Sequence, residues 1–351
     1  MKALIAMSGG VDSSVAAYLV KRDGYDCIGA TMKLYENEVE LSEKSCCSLD
    51  DVLDAKSVAR SLSIPHYTFN LKADFKEKVI SKFISDYESG ATPNPCIECN
   101  RHLKFAALYD KARALGCDYI VTGHYAQIKE KDGKFHLFKA VDESKDQSYV
   151  LYSLTQELLS HILLPLGSLT KDETRDIAQR QGLCVSDKAE SQDICFIPDG
   201  DYAAFIKRST GRVYPEGDFV DTNGNVLGKH KGIINYTIGQ RKGLGIALGA
   251  PAYVGKIDKE NNRVVLCKNE ELFVRSLDAS DFNWISGEVP SEPVNCLAAV
   301  RYRGALKAAT VITTGEKTVH LEFFEPTRAA TPGQAVVLYR DNEVLGGGTI
   351  N

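Results

Sequence analysis

Hydrophobic and polar positions follow two different periods along the first half of the chain. A short apolar run, Ala3–Met7, is typical of a buried strand, and apolar residues with helical spacing follow from Asp12. The same criteria predict further strands at Cys27–Lys33, His66–Asn70 and Tyr119–Gly123, and helices at Asp50–Leu62, Lys72–Asp86, His102–Leu115 and Lys171–Gln181. Strands that alternate with helices predict an α/β fold with a parallel sheet and helices on both faces.

The pattern changes near residue 206. Glycines and basic residues crowd the next stretch, and short strands recur at regular spacing after Pro251. These strands are expected at Arg263–Cys267, Phe282–Ile285, Val294–Arg303, Ala308–Thr313, Val319–Phe324 and Ala335–Tyr339. Such spacing favours a small β-barrel or sandwich, of which we take the barrel. We therefore expect a catalytic domain at 1–205, a turn-rich middle domain at 206–268 and a β-barrel at 269–351.

The first strand-to-helix turn carries the string Ser-Gly-Gly-Val-Asp-Ser, residues 8–13. Gly9 and Gly10 allow a tight turn, which directs several backbone N–H groups at one spot, next to the positive end of the dipole of the following helix. This arrangement is typical of a phosphate site, although no Walker-type sequence is present. Asp12 is a candidate helix cap or magnesium ligand. An ordinary capped turn is the other interpretation, but the full string makes it the weaker one.

Ligands of open parallel sheets bind beyond the carboxyl ends of the strands. Ser8, Met32 and Gly123 all lie at the carboxyl ends of predicted strands, so we expect adenine and ribose near the backbones of Met32 and Gly123. Plain core packing explains Met32 equally well. His124 directly follows a strand, where a histidine is as often a structural group as a catalytic one.

Composition narrows the class of protein. The chain has 351 residues, 44% of them hydrophobic and 25% charged, with a net charge of −5. Residues 1–205 hold 24 Lys and Arg against 31 Asp and Glu, and the remainder holds 18 against 16, so a polyanion is expected to contact the C-terminal part. A cluster of basic residues in the middle domain is a candidate contact for an RNA stem: Lys229, His230, Lys231, Arg241 and Lys242. We expect no leader or membrane segment, and a cytoplasmic protein.

Two cysteine sites carry candidate chemistry. Cys96 and Cys99 form a C-x-x-C after a proline-rich turn, where a helix dipole together with Arg101 and His102 would favour a thiolate. Cys195 lies alone between a polar and an apolar flank. We assign no role to the adjacent pair Cys46-Cys47. The remaining cysteines are expected to be buried: Cys27, Cys117, Cys184, Cys267 and Cys296.

These motifs resemble known enzymes. The turn at 8–13 looks like the pyrophosphatase loop of enzymes that split ATP into AMP and pyrophosphate. With Asn94-Pro95, Cys99-Asn100, Cys195-Phe196-Ile197, Lys145–Tyr149 and Thr331–Gln334, nearly the whole chain resembles the tRNA-specific 2-thiouridylase family. The resemblance implies that the wobble uridine (position 34) of certain tRNAs is adenylated at its C2 oxygen and then thiolated.

The resemblance also implies roles for individual residues. Cys195 would receive sulfur as a persulfide from a sulfur-relay protein, and Cys99 would be the nucleophile that attacks it. ATP, with Mg²⁺, would be bound by Ala6, Met7, Ser8, Gly9, Gly10, Val11, Asp12, Ser13, Met32 and Gly123. The tRNA and its target base would be contacted by Asn94, Pro95, Cys96, His124, Lys145, Asp146, Gln147, Arg301, Tyr302 and Gln334. Without the resemblance, Arg301 and Tyr302 would be interpreted as an ordinary exposed strand face. The protein is expected to act as a monomer.

Cys96 departs from the family pattern, because many members carry an aspartate there. The change produces three candidate thiolates, Cys96, Cys99 and Cys195, and related RNA-thiolating enzymes with three such cysteines hold a [4Fe–4S] cluster. A cluster is therefore an alternative to the persulfide. Two rival functions also remain: an adenylating synthetase for a small acid, which would not need the cysteines, and a non-catalytic tRNA-binding sulfur carrier.

Overall fold

A computed structural model describes residues 1–35, 49–186, 188 and 194–351. Its helices are α1 (Val11–Arg22), α2 (Leu49–Ser61), α3 (Lys72–Phe75), α4 (Ser81–Glu88), α5 (Pro95–Cys99), α6 (Leu108–Ala114), α7 (Gln156–Leu159), α8 (Lys171–Arg180) and α9 (Tyr202–Thr210). π-Helical turns at Lys76–Ile80 and Asn100–Ala107 join α3 to α4 and α5 to α6, and 3₁₀ turns lie at Ser148–Leu151, Ile233–Asn235 and Asn269–Leu272.

The strands of the described residues pair into three sheets. In chain order they are β1 (Lys2–Ala6), β2 (Asp26–Lys33), β3 (His66–Asn70), β4 (Tyr119–Val121), β5 (Ala126–Lys131), β6 (Lys134–Lys139), β7 (Ile162–Leu163), β8 (Gly217–Val220), β9 (Val226–His230), β10 (Tyr253–Asp258), β11 (Arg263–Cys267), β12 (Phe273–Trp284), β13 (Val294–Ala299), β14 (Lys307–Gly315), β15 (Thr318–Arg328), β16 (Ala335–Arg340) and β17 (Glu343–Ile350).

The first sheet is parallel, with the order β3-β2-β1-β4-β7. Strand β1 lies at its centre because it is apolar on both faces. Ala3 and Ile5 pack with buried residues of α1, α2 and α8 on one face, while Leu4 packs with Leu108 of α6 on the other. The predicted layering is confirmed. The turn after β1 therefore lies at the same sheet edge as the ends of β2 and β4.

The C-terminal strands β12–β17 form a closed barrel, since β12 pairs with both β15 and β17. The sequence Lys131-Asp132-Gly133-Lys134 predicts a hairpin turn, and β5 and β6 do form a hairpin with its turn there, but this hairpin belongs to the barrel sheet rather than to the first sheet. Val344 of β17 pairs with Leu137 of β6. Barrel and catalytic part are thus joined by main-chain pairing, and their contact holds a buried cluster that includes Ile97, Phe105 and Tyr149.

The middle part contains a sheet of order β10-β11-β8-β9. Its buried residues Phe219 and Val254 belong to an apolar cluster that also contains Phe83, Cys99 and Leu103, which we call the junction cluster. One continuous helical segment, 95–114, therefore serves both contacts: Cys99 and Leu103 face the middle domain, whereas Ile97 and Phe105 face the barrel.

Several element boundaries were predicted wrongly. The strand expected at Phe282–Ile285 is the end of β12, and the helix expected from His102 is continuous with α5. Helix α9 and strand β17 have no counterpart among the expected elements. The domain boundaries 1–205, 206–268 and 269–351 stay a prediction, and α9 runs across the first of them. No helix in the described ranges has the length and apolarity needed to cross a bilayer.

Candidate active site

The phosphate loop, Met7–Gly10, links the end of β1 to α1 and is held by its own hydroxyl groups. Ser8 N–H donates to Ser13 Oγ at 3.2 Å, and Ser13 and Ser14 donate to the Gly10 carbonyl at 3.1 and 2.9 Å. Among the described residues no side chain caps α1, so the N–H groups of its first turn are not consumed by a capping oxygen there. An anion is the natural partner for such a helix start.

Gly9 is required by both its conformation and its surroundings. Its φ is +77°, in the left-handed region, and a Cβ atom there would overlap the carbonyl oxygen of Asp51 and lie 2.8 Å from the Asp51 Cα. Gly10 is different, because it is extended at φ −99°, and a Cβ atom on it would lie 3.6 Å from the Ser8 hydroxyl, an ordinary contact. Only the first of the two glycines needs the freedom that the sequence suggested for both.

Gly123 closes the loop from the side of β4. A Cβ atom on it would lie 2.8 Å from the Ser13 nitrogen and 2.9 Å from the Asp12 carbonyl carbon, so the backbone after β4 lies directly on the start of α1. Met32, on β2, is half-buried between two apolar clusters. Both residues lie at the expected sheet edge, and their contact with a nucleotide stays a prediction.

Asp12 is not the cap of α1. Its Oδ1 accepts hydrogen bonds from Lys171 Nζ at 2.7 Å and from the Tyr125 hydroxyl at 3.0 Å. Lys171 begins α8, where Thr170 and Glu173 form a reciprocal capping box. A buried lysine is therefore paired with the acidic residue in the first turn of α1, and this pairing draws α8 toward the start of α1.

A second lysine contacts the loop itself. Lys188 Nζ donates to the Gly9 carbonyl at 3.1 Å, to Asp51 Oδ1 at 2.7 Å and to Asp54 Oδ2 at 2.6 Å. Burial acts to lower the pKa of Lys188, but the hydrogen bonds and charges of Asp51 and Asp54 outweigh it, so the pKa is raised and the ammonium stays charged. Lys171 and Lys188 are both absent from the predicted site.

The proline-rich turn leads into α5 as predicted. Asn94 is the N-cap and accepts a hydrogen bond from Cys96 N–H at 3.2 Å, while Pro95 occupies the first helical position. Cys96 is exposed, whereas Cys99, one turn later, is buried in the junction cluster. Cys195 is half-buried and packs against that same cluster, next to Phe196. Cys99 and Cys195 thus share one apolar environment.

The expectation that nearby cations stabilise a thiolate at Cys96 is wrong. Although the Cys96 side chain is exposed, the protein atoms that crowd it raise the pKa of its thiol, and Lys104 only partly offsets the effect. Arg101 forms an ion pair with Asp281 of the barrel, and His102 Nε2 lies 3.2 Å from Glu98 Oε2. Both of the expected cations are engaged by carboxylates.

Several residues predicted to meet the target base gather around Cys96. The positive charge of Lys104 acts on both Cys96 and His124, and Tyr302 lies close enough to Cys96 for the two groups to interact electrostatically. His124 is 7% exposed, and its Nδ1 lies 2.7 Å from Thr122 Oγ1. Burial, aided by Lys104, holds the pKa of His124 well below its usual value, so its ring is neutral. The sequence left a structural and a catalytic role open for His124, and these contacts indicate the structural one.

The segment 145–147 is fixed by its own hydrogen bonds. The Asp146 carboxylate accepts from Ala140 N–H at 2.9 Å and from the Ser148 hydroxyl at 2.7 Å, and burial raises its pKa. Gln147 Oε1 accepts from Tyr125 N–H at 3.0 Å. These two side chains shape the loop, and Lys145, which precedes them, is half-buried.

Two barrel segments face this region. The Tyr302 hydroxyl donates to the Asp146 carbonyl at 3.2 Å, which joins barrel and catalytic part beside Cys96. Arg301 is exposed. Gln334 Nε2 donates to the Thr92 carbonyl at 2.7 Å, so this residue holds the proline-rich turn. Contact of these residues with tRNA stays a prediction.

Two further expectations need correction. Cys184 is exposed, whereas Cys27, Cys117, Cys267 and Cys296 are buried as predicted. His230 is 1% exposed and bonded to the Asn262 carbonyl, with its pKa lowered by burial, so it is not part of a basic surface. Cys46 and Cys47 lie outside the described residues.

The three candidate cluster ligands do not form a metal site. Within the described ranges, no three His, Cys, Asp or Glu side chains are grouped closely enough to hold a metal ion. Cys96 is exposed, while Cys99 is buried in the junction cluster. The arrangement therefore gives no support to a [4Fe–4S] cluster at Cys96, Cys99 and Cys195.

Three domain families match the chain in order. They are described as a tRNA methyl transferase HUP domain at residues 1–199, a tRNA methyl transferase PRC-barrel domain at 203–268 and an aminomethyltransferase beta-barrel domain at 274–350. A protein of Clostridioides difficile named tRNA-specific 2-thiouridylase MnmA is 52% identical over 99% of this chain and 98% of its own length. The chain belongs to the tRNA-specific 2-thiouridylase family.

Other members of the family agree with this assignment. A protein of the same name from Carboxydothermus hydrogenoformans is 50% identical over 99% of this chain and 97% of its own length. The one from Lachnoclostridium phytofermentans is 48% identical over 99% of both chains. The family that the sequence motifs indicated is thus confirmed. Among solved structures, an NMN synthetase from Francisella tularensis has 17% identity and a TM-score of 0.34, covering 60% of this chain and 77% of its own, which is too distant to support an argument.

Proposed function

We propose that this chain is an ATP-dependent sulfurtransferase that converts the wobble uridine of tRNA to 2-thiouridine. The observation that carries the proposal is the course of α5, which begins beside the tRNA-binding candidates and ends in the junction cluster. Cys96 is exposed, and Cys99 is buried in the cluster against which Cys195 packs. One short helix therefore links the exposed thiol of Cys96 with the apolar cluster that Cys99 and Cys195 share.

The first step activates the base. The C2 oxygen of uridine attacks the α-phosphorus of ATP, a P–O bond forms, and pyrophosphate leaves. The first-turn N–H groups of α1 and the loop Met7–Gly10 bind the β- and γ-phosphates and stabilise the charge that develops on pyrophosphate. Mg²⁺, which binds phosphate oxygens strongly, would enter the site together with ATP. Asp12, in the first turn of α1, is its candidate carboxylate ligand.

The second step exchanges oxygen for sulfur. The outer sulfur of a Cys195 persulfide attacks C2, and AMP leaves with the electrons of the C2–O bond. The Cys99 thiolate then attacks the Cys195 sulfur, which releases 2-thiouridine and forms a Cys99–Cys195 disulfide. If Cys99 attacks first instead, hydrosulfide is released and itself displaces AMP, with the same disulfide as product. A dithiol reductant supplies the two electrons and two protons that restore the thiols.

The apolar surroundings of the two thiols suit this chemistry. A persulfide or hydrosulfide lost to water would be wasted, and the junction cluster excludes water from Cys99. Neither ATP nor tRNA supplies the sulfur, so we propose that a protein that carries a persulfide delivers it to Cys195. We expect these reactions in the cytoplasm, where tRNA and reduced thiols coexist.

The test measures AMP and 2-thiouridine with an anticodon stem-loop, ATP, Mg²⁺ and a sulfide or persulfide source. Wild type should release AMP only when uridine is present at position 34 and should form 2-thiouridine, while Cys99→Ala and Cys195→Ala should form none with the persulfide source. A stem-loop with cytidine at position 34 is the matched control substrate. Equal AMP release with a small carboxylic acid in place of RNA would favour the synthetase interpretation and refute this one.

Cys96 separates the persulfide route from a cluster route. Cys96→Asp restores the residue that many family members carry and removes one of the three candidate iron ligands. The persulfide route predicts that this variant thiolates RNA within a few-fold of wild type, with no iron in either protein. Loss of thiolation together with loss of bound iron and of visible absorbance would contradict the persulfide route.

A further inference from the structure

Lys188 has no role in the steps above, although its ammonium touches the phosphate loop. Its three hydrogen bonds join the Gly9 carbonyl to two carboxylates of α2, at 3.1, 2.7 and 2.6 Å. Asp51, which supplies one of these carboxylates, is also the residue whose backbone blocks any side chain at Gly9. The N-terminal turn of α2, Lys188 and Gly9 thus form one contact, which we call the loop anchor.

The orientation of one peptide group follows from this contact. The peptide between Gly9 and Gly10 is trans, as are all described peptides, so its C=O and N–H point in opposite directions. Lys188 and α2 lie on the carbonyl side. The Gly10 N–H is therefore directed away from them, on the side opposite to the anchored carbonyl. A positive φ at Gly9 is the conformation that permits this orientation.

We propose that Lys188 is a positioning residue for ATP: it holds the Gly9–Gly10 peptide in the orientation in which the Gly10 N–H serves the phosphate site. The proposal rests on the proposed function, since it takes the loop to bind the β- and γ-phosphates. Asp51 and Asp54 fix the ammonium and offset the charge that it would otherwise carry unpaired. Lys188 acts through the loop backbone and is not assigned a contact with the nucleotide.

The prediction concerns which phosphates lose affinity. Lys188→Met keeps the aliphatic stem and removes the donor, so the peptide is released while packing is largely preserved. Losing a hydrogen bond from a charged group weakens binding of ATP and of pyrophosphate by about tenfold. AMP lacks the β- and γ-phosphates, so its Kd should change by less than about twofold. A merely structural role would weaken all three ligands together.

Calorimetric titration of the full-length protein with ATP, pyrophosphate and AMP provides the measurement. Lys188→Arg, which keeps a charged donor, should restore ATP affinity to within about threefold of wild type. Lys56→Met, on the exposed side of α2, is the matched control and should bind all three ligands as wild type does. Should Lys188→Met not fold, Lys188→Gln, with a neutral donor, is titrated in its place and should show a smaller loss, for ATP and pyrophosphate but not for AMP.

The carboxylates of Asp51 and Asp54 are a separate source of weaker phosphate binding, so their charge is removed in a second set of variants. Without Lys188, Asp51 and Asp54 would repel phosphate, so the substitution is repeated in the Asp51→Asn, Asp54→Asn background. If loop orientation matters, the tenfold loss persists there; if it vanishes, repulsion alone explains it and the inference is wrong. ATP affinity unchanged by Lys188→Met also overturns it. AMP release by the wild-type protein is measured in parallel with RNA present. If wild type releases no AMP, the proposed function is refuted. If wild type releases AMP normally and the Lys188 variants bind ATP as wild type does, only the role of the loop anchor is refuted.

Discussion

Replacing Gly9 by alanine perturbs the phosphate loop in two separable ways. The residue has φ +77°, and its Cα faces the backbone of Asp51 in the first turn of α2. Alanine must therefore either adopt a left-handed conformation or distort the loop, and in the native conformation its Cβ would overlap a carbonyl oxygen that belongs to a helix and cannot rotate away. Either α2 or the loop has to move.

A substitution at a second glycine separates the conformational cost of Gly9→Ala from its steric cost. Gly24 has φ +88°, and a Cβ atom there would meet no described atom within 4 Å, so Gly24→Ala carries the conformational cost alone, about 1–2 kcal/mol. Gly9→Ala adds the cost of overpacking against backbone, a further 1–3 kcal/mol or so. For a domain of this size, 1 kcal/mol corresponds to about 2–4 °C in Tm. Gly9→Ala should then lower Tm by about 4–20 °C and Gly24→Ala by about 2–8 °C.

Activity should separate the two variants more sharply than stability does. A shift of about 1 Å in the loop misplaces the phosphates and costs on the order of a hundredfold in rate. The assay is AMP release with a stem-loop RNA at about 25 °C, where both variants stay folded, combined with thermal unfolding. Gly24→Ala should keep wild-type turnover. If Gly9→Ala turns over ATP like Gly24→Ala, the loop does not hold the phosphates against the first turn of α1.

Two other predictions follow from buried contacts. Because the pKa of His124 in the folded protein lies well below its ordinary value of 6.5, the unfolded state binds a proton that the folded state does not, and stability falls as pH drops below about 6.5. Between about pH 6.5 and 5.5, denaturant unfolding of wild type should lose about 1 kcal/mol more than that of His124→Gln; equal losses would mean that His124 is protonated in the fold. Gln334→Ala removes the 2.7 Å hydrogen bond from Gln334 Nε2 to the Thr92 carbonyl. In steady-state assays this variant should lower kcat for thiolation about fivefold and leave KM for ATP unchanged. A raised KM for ATP would mean that the proline-rich turn also affects nucleotide binding, which would contradict the prediction.

Local features were the ones that the sequence could predict. The order strand, glycine turn and helix at residues 3–22 is encoded by neighbouring residues, as is the hairpin turn at 131–134. The sheet to which the hairpin belongs was not predictable, because its partner in β17 lies some two hundred residues later and pairs through only two positions. Backbone pairing of this kind leaves no pattern in the hairpin itself.

The candidate site shows the same division. Gly9, Asn94 and Pro95 were identified from short motifs whose geometry depends on adjacent residues. Lys171 and Lys188 were missed because each reaches the loop from more than 150 residues away, and a lysine in a sequence gives no sign of whether its ammonium meets water or a distant carboxylate. The burial of His124 and the exposure of Cys184 were equally inaccessible, since both depend on which elements cover them.

Transfer of a labelled sulfur atom tests the central claim most directly. Iron-free protein is loaded with ³⁵S as a persulfide on Cys195, freed of other sulfur sources and mixed with ATP and a stem-loop RNA in a single turnover. The account predicts that the label moves to 2-thiouridine in step with AMP release and that a peptide map then shows a Cys99–Cys195 disulfide. Label that stays on the protein while AMP is released, or that reaches RNA equally well from Cys99→Ala without any disulfide, would contradict it.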